Sequence, residues 1–558
     1  MAVESGTRHG SPQQPAPPPS ADGPEADGTP DAAGGDAAAP TLRRGTLGVA
    51  DIAFFVISAA APLTVMAGTS PIALGTGGLG APVGYLLAGI TLAIFAVGFT
   101  AMARHVRNGG GFYAFITRGL GRPAGFGAAT LALLAYNGMQ IGVYGLLATA
   151  TQDALEAFWG IHVPWPPIAV AGVFVIWFLG YRSIDFGAKV LGVLLVAETG
   201  ILVLLAGGVL LRGGAHGLAP DSFTPGNVLV PGTGAVLAFA FAAFTGFEST
   251  AIYRREARNP ARTIPRATYI AVAFLGLFYA FTIWIIIQAF GGDEIVAAAV
   301  HDPAGLFFTA TTEYVGTWAA DLMHLFIVTS ILASQLAFHN AINRYGLALS
   351  QEGVLPAALG RIHPGNRSPY VAGALQSALA VLIVLGFALA GADPYQQLLL
   401  WMNTPGMLGL LALQAITAVA VPCYFRRLSH QEGALRTRVA PVVATVLMAG
   451  ALWLVIAKID LMTGASFTTN AALVLSVPAA FVLGLFLARR VRRTRPAVYA
   501  GFAAEPEEEG ELEEREESEG SDEPEEREGS DEPGESDEPA GPAPSARPAG
   551  RGTTPTTR

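Results

Sequence analysis

The sequence predicts an all-α, polytopic membrane protein with twelve spanning helices, and three observations predict it. The 558 residues are 52% hydrophobic and only 14% charged, too little charge to cover a soluble surface. Apolar segments long enough for a spanning helix, about 20 residues, recur twelve times. The basic residues between those segments fall on alternate sides of the membrane.

In chain order the segments run over 49–75, 81–103, 124–150, 164–181, 187–211, 232–253, 267–290, 319–345, 370–391, 395–422, 438–457 and 469–488. One set of loops collects 25 basic residues. It starts with Arg43 and Arg44, passes through Arg104, Arg122, Arg182, Arg258, Arg344 and Arg426, and ends with the cluster Arg489 to Arg495. The other set holds only Arg212 and Lys458. Positive loops stay in the cytoplasm, so both termini are expected there, in a cytoplasmic (inner) membrane. The stretch 291–318, with Asp293, Glu294, Asp302 and Pro303, reads as an outer loop carrying one interfacial helix. A further span there would invert every later loop.

The net charge of −10 belongs to the tail. From Gly501 onward there are 20 acidic and 5 basic residues, a balance of −15, which leaves about +5 for the rest. Residues 1–40 lack the apolar run of a signal peptide and read as a disordered cytoplasmic extension. The expected organisation is thus 1–40 extension, 41–495 transporter domain and 496–558 disordered acidic tail. The tail repeats Ser-Asp-Glu-Pro at 521, 530 and 536 and is too charged to fold alone. Docking or mere solvation would both account for it.

Two of the segments are interrupted. The first reads Phe54-Phe55-Val56-Ile57-Ser58-Ala59-Ala60-Ala61-Pro62 and continues to Gly68; the second runs from Phe239 through Phe241, Phe244, Thr245, Gly246 and Phe247 to Glu248. Pro62 and Gly246 weaken their helices near the middle. Unpaired backbone at that depth is tolerated only where it is buried in protein or lines a cavity. Two such breaks in matching halves point to a transporter's binding site. A broken helix offers free N–H groups at one stump and free C=O groups at the other, which suits the two charges of an amino acid. An ordinary kink would explain either segment alone.

Gly246-Phe247-Glu248-Ser249, followed by Glu256-Ala257-Arg258-Asn259-Pro260-Ala261-Arg262-Thr263-Ile264-Pro265-Arg266-Ala267, resembles the sixth helix and next loop of the amino acid–polyamine–organocation (APC) permeases. Arg344 to Ala348 with Glu352 to Pro356 resembles the stretch after helix eight, and Tyr136 to Gly142 resembles helix three of bacterial members. The resemblance covers about 41–495. It implies a LeuT-like, five-plus-five inverted repeat with two added C-terminal helices. It also implies uptake of an amino acid, polyamine or related amine, driven by protons or by exchange. Carried over, the segments that bind carboxylate and amine fall on Ser58 to Pro62 and Phe244 to Glu248. Some members place a large aromatic four residues before the helix-six glycine; here Ala242 stands there, with Phe241 and Phe244 nearby. Some proton-coupled members carry a lysine in helix five, where this chain has Glu198.

Glu198 and Glu248 are acids inside apolar spans, where an isolated charge costs several kcal/mol, so each is a candidate proton carrier. A structural acceptor role is the competing reading for both. Tyr136 and Gln140 share a helical face and are expected to line the substrate path or to bond between helices. Span eight offers Thr329, Ser330, Ser334 and Gln335, whose hydroxyls usually return to their own backbone. His339, near the cytoplasmic end, reads as a solvated or capping residue. Trp401 and Asn403 are expected to wall the cavity or to pack, and Arg254 to Arg266 read first as a solvated cytoplasmic face, with a gate bridge to Glu256 or Asp185 as the secondary reading. No P-loop, metal-ligand cluster or nucleophile elbow is present in the sequence, so neither an enzyme nor a cofactor nor a nucleic-acid partner is expected. The expected partners are a small amine or amino acid, protons and the bilayer. A ligand-sensing receptor is the rival from another class.

Overall fold

The computed structural model describes residues 47–106, 110–182, 188–248, 250 and 257–504. Among them the regular structure is helical, and the one β-bridge joins Leu47 to Ala257. The chain begins with α1 (Val49–Ala60), α2 (Pro62–Gly68), α3 (Ser70–Gly77) and α4 (Ala81–His105). It continues through α5 (Phe112–Leu120), α6 (Arg122–Trp159), α7 (Trp165–Tyr181) and α8 (Ala188–Arg212). A short turn, α9 (Pro225–Val228), precedes α10 (Thr233–Ala243) and α11 (Pro260–Phe290). Next come α12 (Ile295–His301), α13 (Leu306–Tyr314), α14 (Thr317–Gln351) and α15 (Tyr370–Leu389). The last group is α16 (Leu400–Phe425), α17 (Ala440–Ala457), α18 (Ile459–Thr463), α19 (Phe467–Thr494) and α20 (Pro496–Gly501).

Proline opens many of these helices. Pro62, Pro82, Pro123 and Pro260 sit in first turns, where a missing N–H costs nothing and the fixed φ fits. Among the described residues, ten helical stretches are long and apolar enough to cross a membrane. The fourth and sixth expected spans form shorter apolar helices, α7 and α10. The reason at α10 is specific: the expected span 232–253 stops as a helix at Ala243, because the backbone turns off course at Gly246.

Burial separates centre from rim. The apolar window of α6 is 83% buried and that of α19 only 17%, so α6 is the central strut and α19 the margin. Leu211, Leu389 and Phe467 stand almost fully exposed on the outside, as an apolar, lipid-facing surface requires. The α6–α16 contact is made by small residues. A Cβ at Gly138 would lie 2.8 Å from the Met402 carbonyl, and one at Gly406 would lie 2.4 Å from Met139. Such close approach is the usual device where water drives nothing together.

Two expectations need correction. The stretch 291–318 holds two short helices, α12 and α13, rather than one. Asp302 ends the first, and its Oδ1 accepts the Gly305 N–H at 2.9 Å before the second. The boundary expected at 495 lies further on: residues 496–503 form α20 and a buried end, so the packed body reaches Ala503. Arg43, Arg44, Asp185, Arg254, Arg255, Glu256, the extension 1–40 and the tail beyond Ala504 lie outside the described residues.

The ends of the bundle differ. At the arginine-rich end, Arg104 and Arg436 both meet Glu432 at 3.0 Å, and Tyr113 of α5 donates to Glu352 at 3.0 Å. Burial alone would raise the Glu432 carboxyl, but the Arg436 hydrogen bond and the two guanidinium charges win and hold it below its ordinary value. The arginine-poor end carries α12, α13 and a wide depression described below.

Candidate functional site

Pro62 makes the first break. It has no N–H and disfavours a helical conformation at the residue before it. Ala61 takes neither helix nor the extended state that proline favours before it, but φ 47°, ψ 72°, a left-handed state rare for a side-chain-bearing residue. Such a state costs about 1–3 kcal/mol and persists only where its surroundings impose it. The Ala61 N–H turns back to the Ser58 carbonyl at 3.1 Å, and no side chain caps α2.

Gly246 makes the second. Past Ala243 the bonds tighten, with Thr245 N–H reaching the Ala242 carbonyl at 3.0 Å. Gly246 sits at φ +107°, a conformation that favours glycine. Its N–H donates to Glu248 Oε2 at 3.0 Å, while the Tyr136 hydroxyl donates to Glu248 Oε1 at 2.6 Å. The two breaks face each other: a Cβ at Gly246 would lie 3.6 Å from the Ala59 methyl and 4.0 Å from the Ala60 nitrogen.

A cavity of about 70 Å³ opens beside the facing breaks. Ala59, Ala60, Thr64, Val65 and Thr69 come from the first; Phe239, Ala242, Ala243 and Thr245 from the second. Met139, Val143 and Leu146 of α6 supply one wall, Ser334 and Phe338 of α14 another, and Leu399, Leu400, Asn403 and Met407 the last. Among the described residues, no ionisable side chain lines it. A larger hollow, about 570 Å³, lies at the arginine-poor end between α6, α13 and α14, with Asp153, Asp302, Glu313 and Asp321 on it. That hollow touches neither break, so the smaller cavity is the candidate substrate site.

The sequence-predicted residues divide into three groups. Ala59, Ala60 and Thr245 line the cavity. Ala61, Pro62 and Gly246 shape the breaks, with Ile57 buried beneath and Ser58 Oγ buried without a partner. The others pack or brace. Phe244 stands edge-on to Tyr279 of α11 at 6.0 Å, and Phe247 edge-on to Phe95 of α4 at 6.0 Å, wedging the second break in place. Phe241 is buried off the cavity, whereas Phe239 is the α10 ring that lines it. Gln140 interlocks with α14, where Gln335 Nε2 donates to its carbonyl at 3.0 Å. Trp401 donates to the Thr463 carbonyl at 3.2 Å, while Asn403 and Ser334 do reach the cavity.

Glu198 is buried beside α14. Ser330 Oγ donates to Glu198 Oε2 at 2.8 Å, and Thr64 Oγ1 donates to Ser330 Oγ at 2.8 Å. This run of hydroxyls joins an acid on α8 to a residue of the cavity wall. The expectation for His339 fails: it is 1% exposed, wedged against Gly180 and Gly373, with Nδ1 2.8 Å from Gln376 Nε2. The α6 wall went unrecognised because its residues are apolar. Their spacing, 139, 143 and 146, marks one helical face and was the available signal.

These features define a multi-pass membrane protein with a cavity at two facing helix breaks. The family model for amino acid permeases matches residues 51–495, and the chain belongs to that family, within the APC superfamily. It is similar to an uncharacterized transporter of Mycobacterium tuberculosis, 25% identical over 64% of this chain and 79% of the relative. The branched-chain amino acid permease BcaP of Bacillus subtilis is 24% identical over 58% of this chain and 70% of its own. The serine/threonine exchanger SteT of the same organism is 25% identical over 54% and 67%.

Proposed function

We propose that this protein moves small neutral amino acids across the cytoplasmic membrane by alternating access, with substrate held between the α1–α2 break and the turn after α10. Twelve spans arranged as an inverted five-plus-five repeat with two added helices, and both termini in the cytoplasm, complete the reading. The observation that carries it is a cavity at two facing breaks with no ionisable side chain in its wall. Backbone groups at the breaks meet the two charges of the amino acid, and a charged side chain would find no counter-ion. At roughly 10–15 Å³ for each water-sized position, the cavity holds about five, which fits a short side chain such as that of serine or valine. The names of BcaP and SteT likewise refer to uncharged side chains. A polyamine needs carboxylates, but Glu198 is turned to Ser330 and Glu248 to Tyr136 and Gly246.

Glu198 is the proposed proton carrier, reached from the cavity through Thr64 and Ser330. Glu248 is the brace of the second break. Purified protein unfolded thermally against a panel of amines decides the substrate: a ligand at 100 times its Kd stabilises by about 2.7 kcal/mol. Serine, threonine or valine should shift the transition; a shift with putrescine or lysine alone overturns the reading. Glu198→Gln in proteoliposomes should abolish accumulation driven by a pH gradient and keep counterflow exchange. Full accumulation in that variant removes Glu198 from the proton role.

A further inference from the structure

We infer that residues 496–503 are a built-in latch that holds the cytoplasmic side of the transporter closed. The orientation rests on the function proposed above; the contacts do not. Charges flank the segment on both sides, with Arg489 to Arg495 before it and Glu505, Glu507, Glu508 and Glu509 after it. Its own Phe502 and Ala503 are 2% and 1% exposed. The last residues of a packed domain seldom bury a ring unless something holds them.

The seat is specific. Arg122 at the start of α6 donates to the Ala500 carbonyl at 2.6 Å. The Arg122 and Arg492 guanidinium groups both lie over the Tyr499 ring, 5.8 and 5.9 Å from its centre. Arg495 reaches the Gly353 carbonyl at 3.3 Å. Phe502 lies against Phe126 of α6, centroids 4.0 Å apart, and stacks on Tyr113 of α5 at 5.6 Å.

From Phe502 the contacts run without a gap to the candidate site. Tyr113 bonds Glu352 and lies 5.9 Å from the Tyr345 ring of α14. Tyr345 lies 5.5 Å from Tyr136, whose hydroxyl holds Glu248, which holds the Gly246 N–H. The cavity continues from the breaks toward the other end, through Thr69, Leu146 and Leu399. Opening the site to the cytoplasm therefore requires Tyr136, Tyr345 and Tyr113 to part, and Phe502 pins the last of them to α6. The acidic tail begins a few residues past that pin, so a pull on the tail acts directly on the latch.

The test uses full-length protein in lipid nanodiscs, with no ligand, and hydrogen exchange as the readout. Phe502→Ala should speed exchange about tenfold in 112–120 and 341–352, where opening is local, and leave 295–314 unchanged. The milder Phe502→Leu should give a smaller rise in the same two segments and covers poor folding of the alanine variant. Deleting 505–558 keeps the latch and should change neither segment. A rise confined to 496–503, or one spread equally over 295–314, overturns the latch. Because no substrate is used, failure of serine uptake by the unmodified protein would count against the transport reading alone.

Discussion

Pro62 breaks its helix by covalent structure, whereas Gly246 does so only because neighbours hold it. At the first break the ring forbids a helix and Ala61 absorbs the strain, with no side chain capping α2. At the second, glycine merely permits the turn. Glu248 and Tyr136 fix it, and Phe244 and Phe247 wedge it against α11 and α4. A break that is intrinsic stays put when helices move. A break that is braced from α6 follows α6. In the transport cycle proposed above, α1–α2 is therefore the fixed half of the site and α10 the adjustable half.

The most damaging change should be Gly246→Ala. The methyl has room, at 3.6 Å from Ala59, so the loss comes from backbone strain of about 1–3 kcal/mol rather than from a clash. Serine uptake should fall about a hundredfold, since each 1.4 kcal/mol in a barrier is tenfold in rate. Uptake near normal would show that the braced half needs no glycine. Pro62→Ala tests the other half and should act in the opposite sense on stability. Relieving the ring lets α1 run into α2, so the unfolding temperature should rise while uptake falls about tenfold, the loss of a barrier-lowering shape. Unchanged uptake there would make the first break an ornament of sequence.

Tyr136→Phe comes next. It leaves a buried Glu248 oxygen without its donor, a loss of about 1–3 kcal/mol for an unsatisfied buried acceptor. Thermal unfolding in detergent should report it, and a cost near zero would mean that Glu248 braces Gly246 unaided. The smallest effect lies away from both breaks. The lowered Glu432 carboxyl stabilises the fold above the ordinary glutamate value of about 4.3, and that contribution is lost as pH falls through the lower folded value. The pair geometry is partly exposed, so about 0–1 kcal/mol is at stake. The gap in unfolding temperature between the unmodified protein and Glu432→Gln should close as the pH is lowered from 7 to 3. A gap that persists at pH 3 would assign the effect to packing.

The same contrast explains what the sequence could disclose. Pro62 announces its break because proline acts alone, and Gly246 beside Thr245 and Glu248 announces the other. Long apolar runs gave the ten clear spans, but α10 is cut short by its own break, and α7 is brief. The cavity wall was harder to read. Polar Gln140 drew notice, yet it bonds α14, while Met139 on the adjacent face meets the cavity. Which side of a buried helix faces a cavity depends on partners far away in sequence, and periodicity alone does not name them. His339 shows the same limit: its pocket is made by Gly180 and Gly373 from other helices. The end of the packed body at Ala503 was hidden because Tyr499 and Phe502 are two rings amid charge.

The length of α6 has a mechanical consequence. Its 38 residues extend about 57 Å at 1.5 Å each, nearly twice a hydrocarbon core of about 30 Å. One uninterrupted rod therefore carries Arg122 under the C-terminal segment, Tyr136 at the brace, Met139 at the cavity and Asp153 at the wide hollow of the arginine-poor end. A tilt of about 5° about its middle would swing each end, about 28 Å away, by roughly 2.5 Å. Such a lever would let events on either face of the membrane be felt at the glycine of the second break without any helix in between having to unwind.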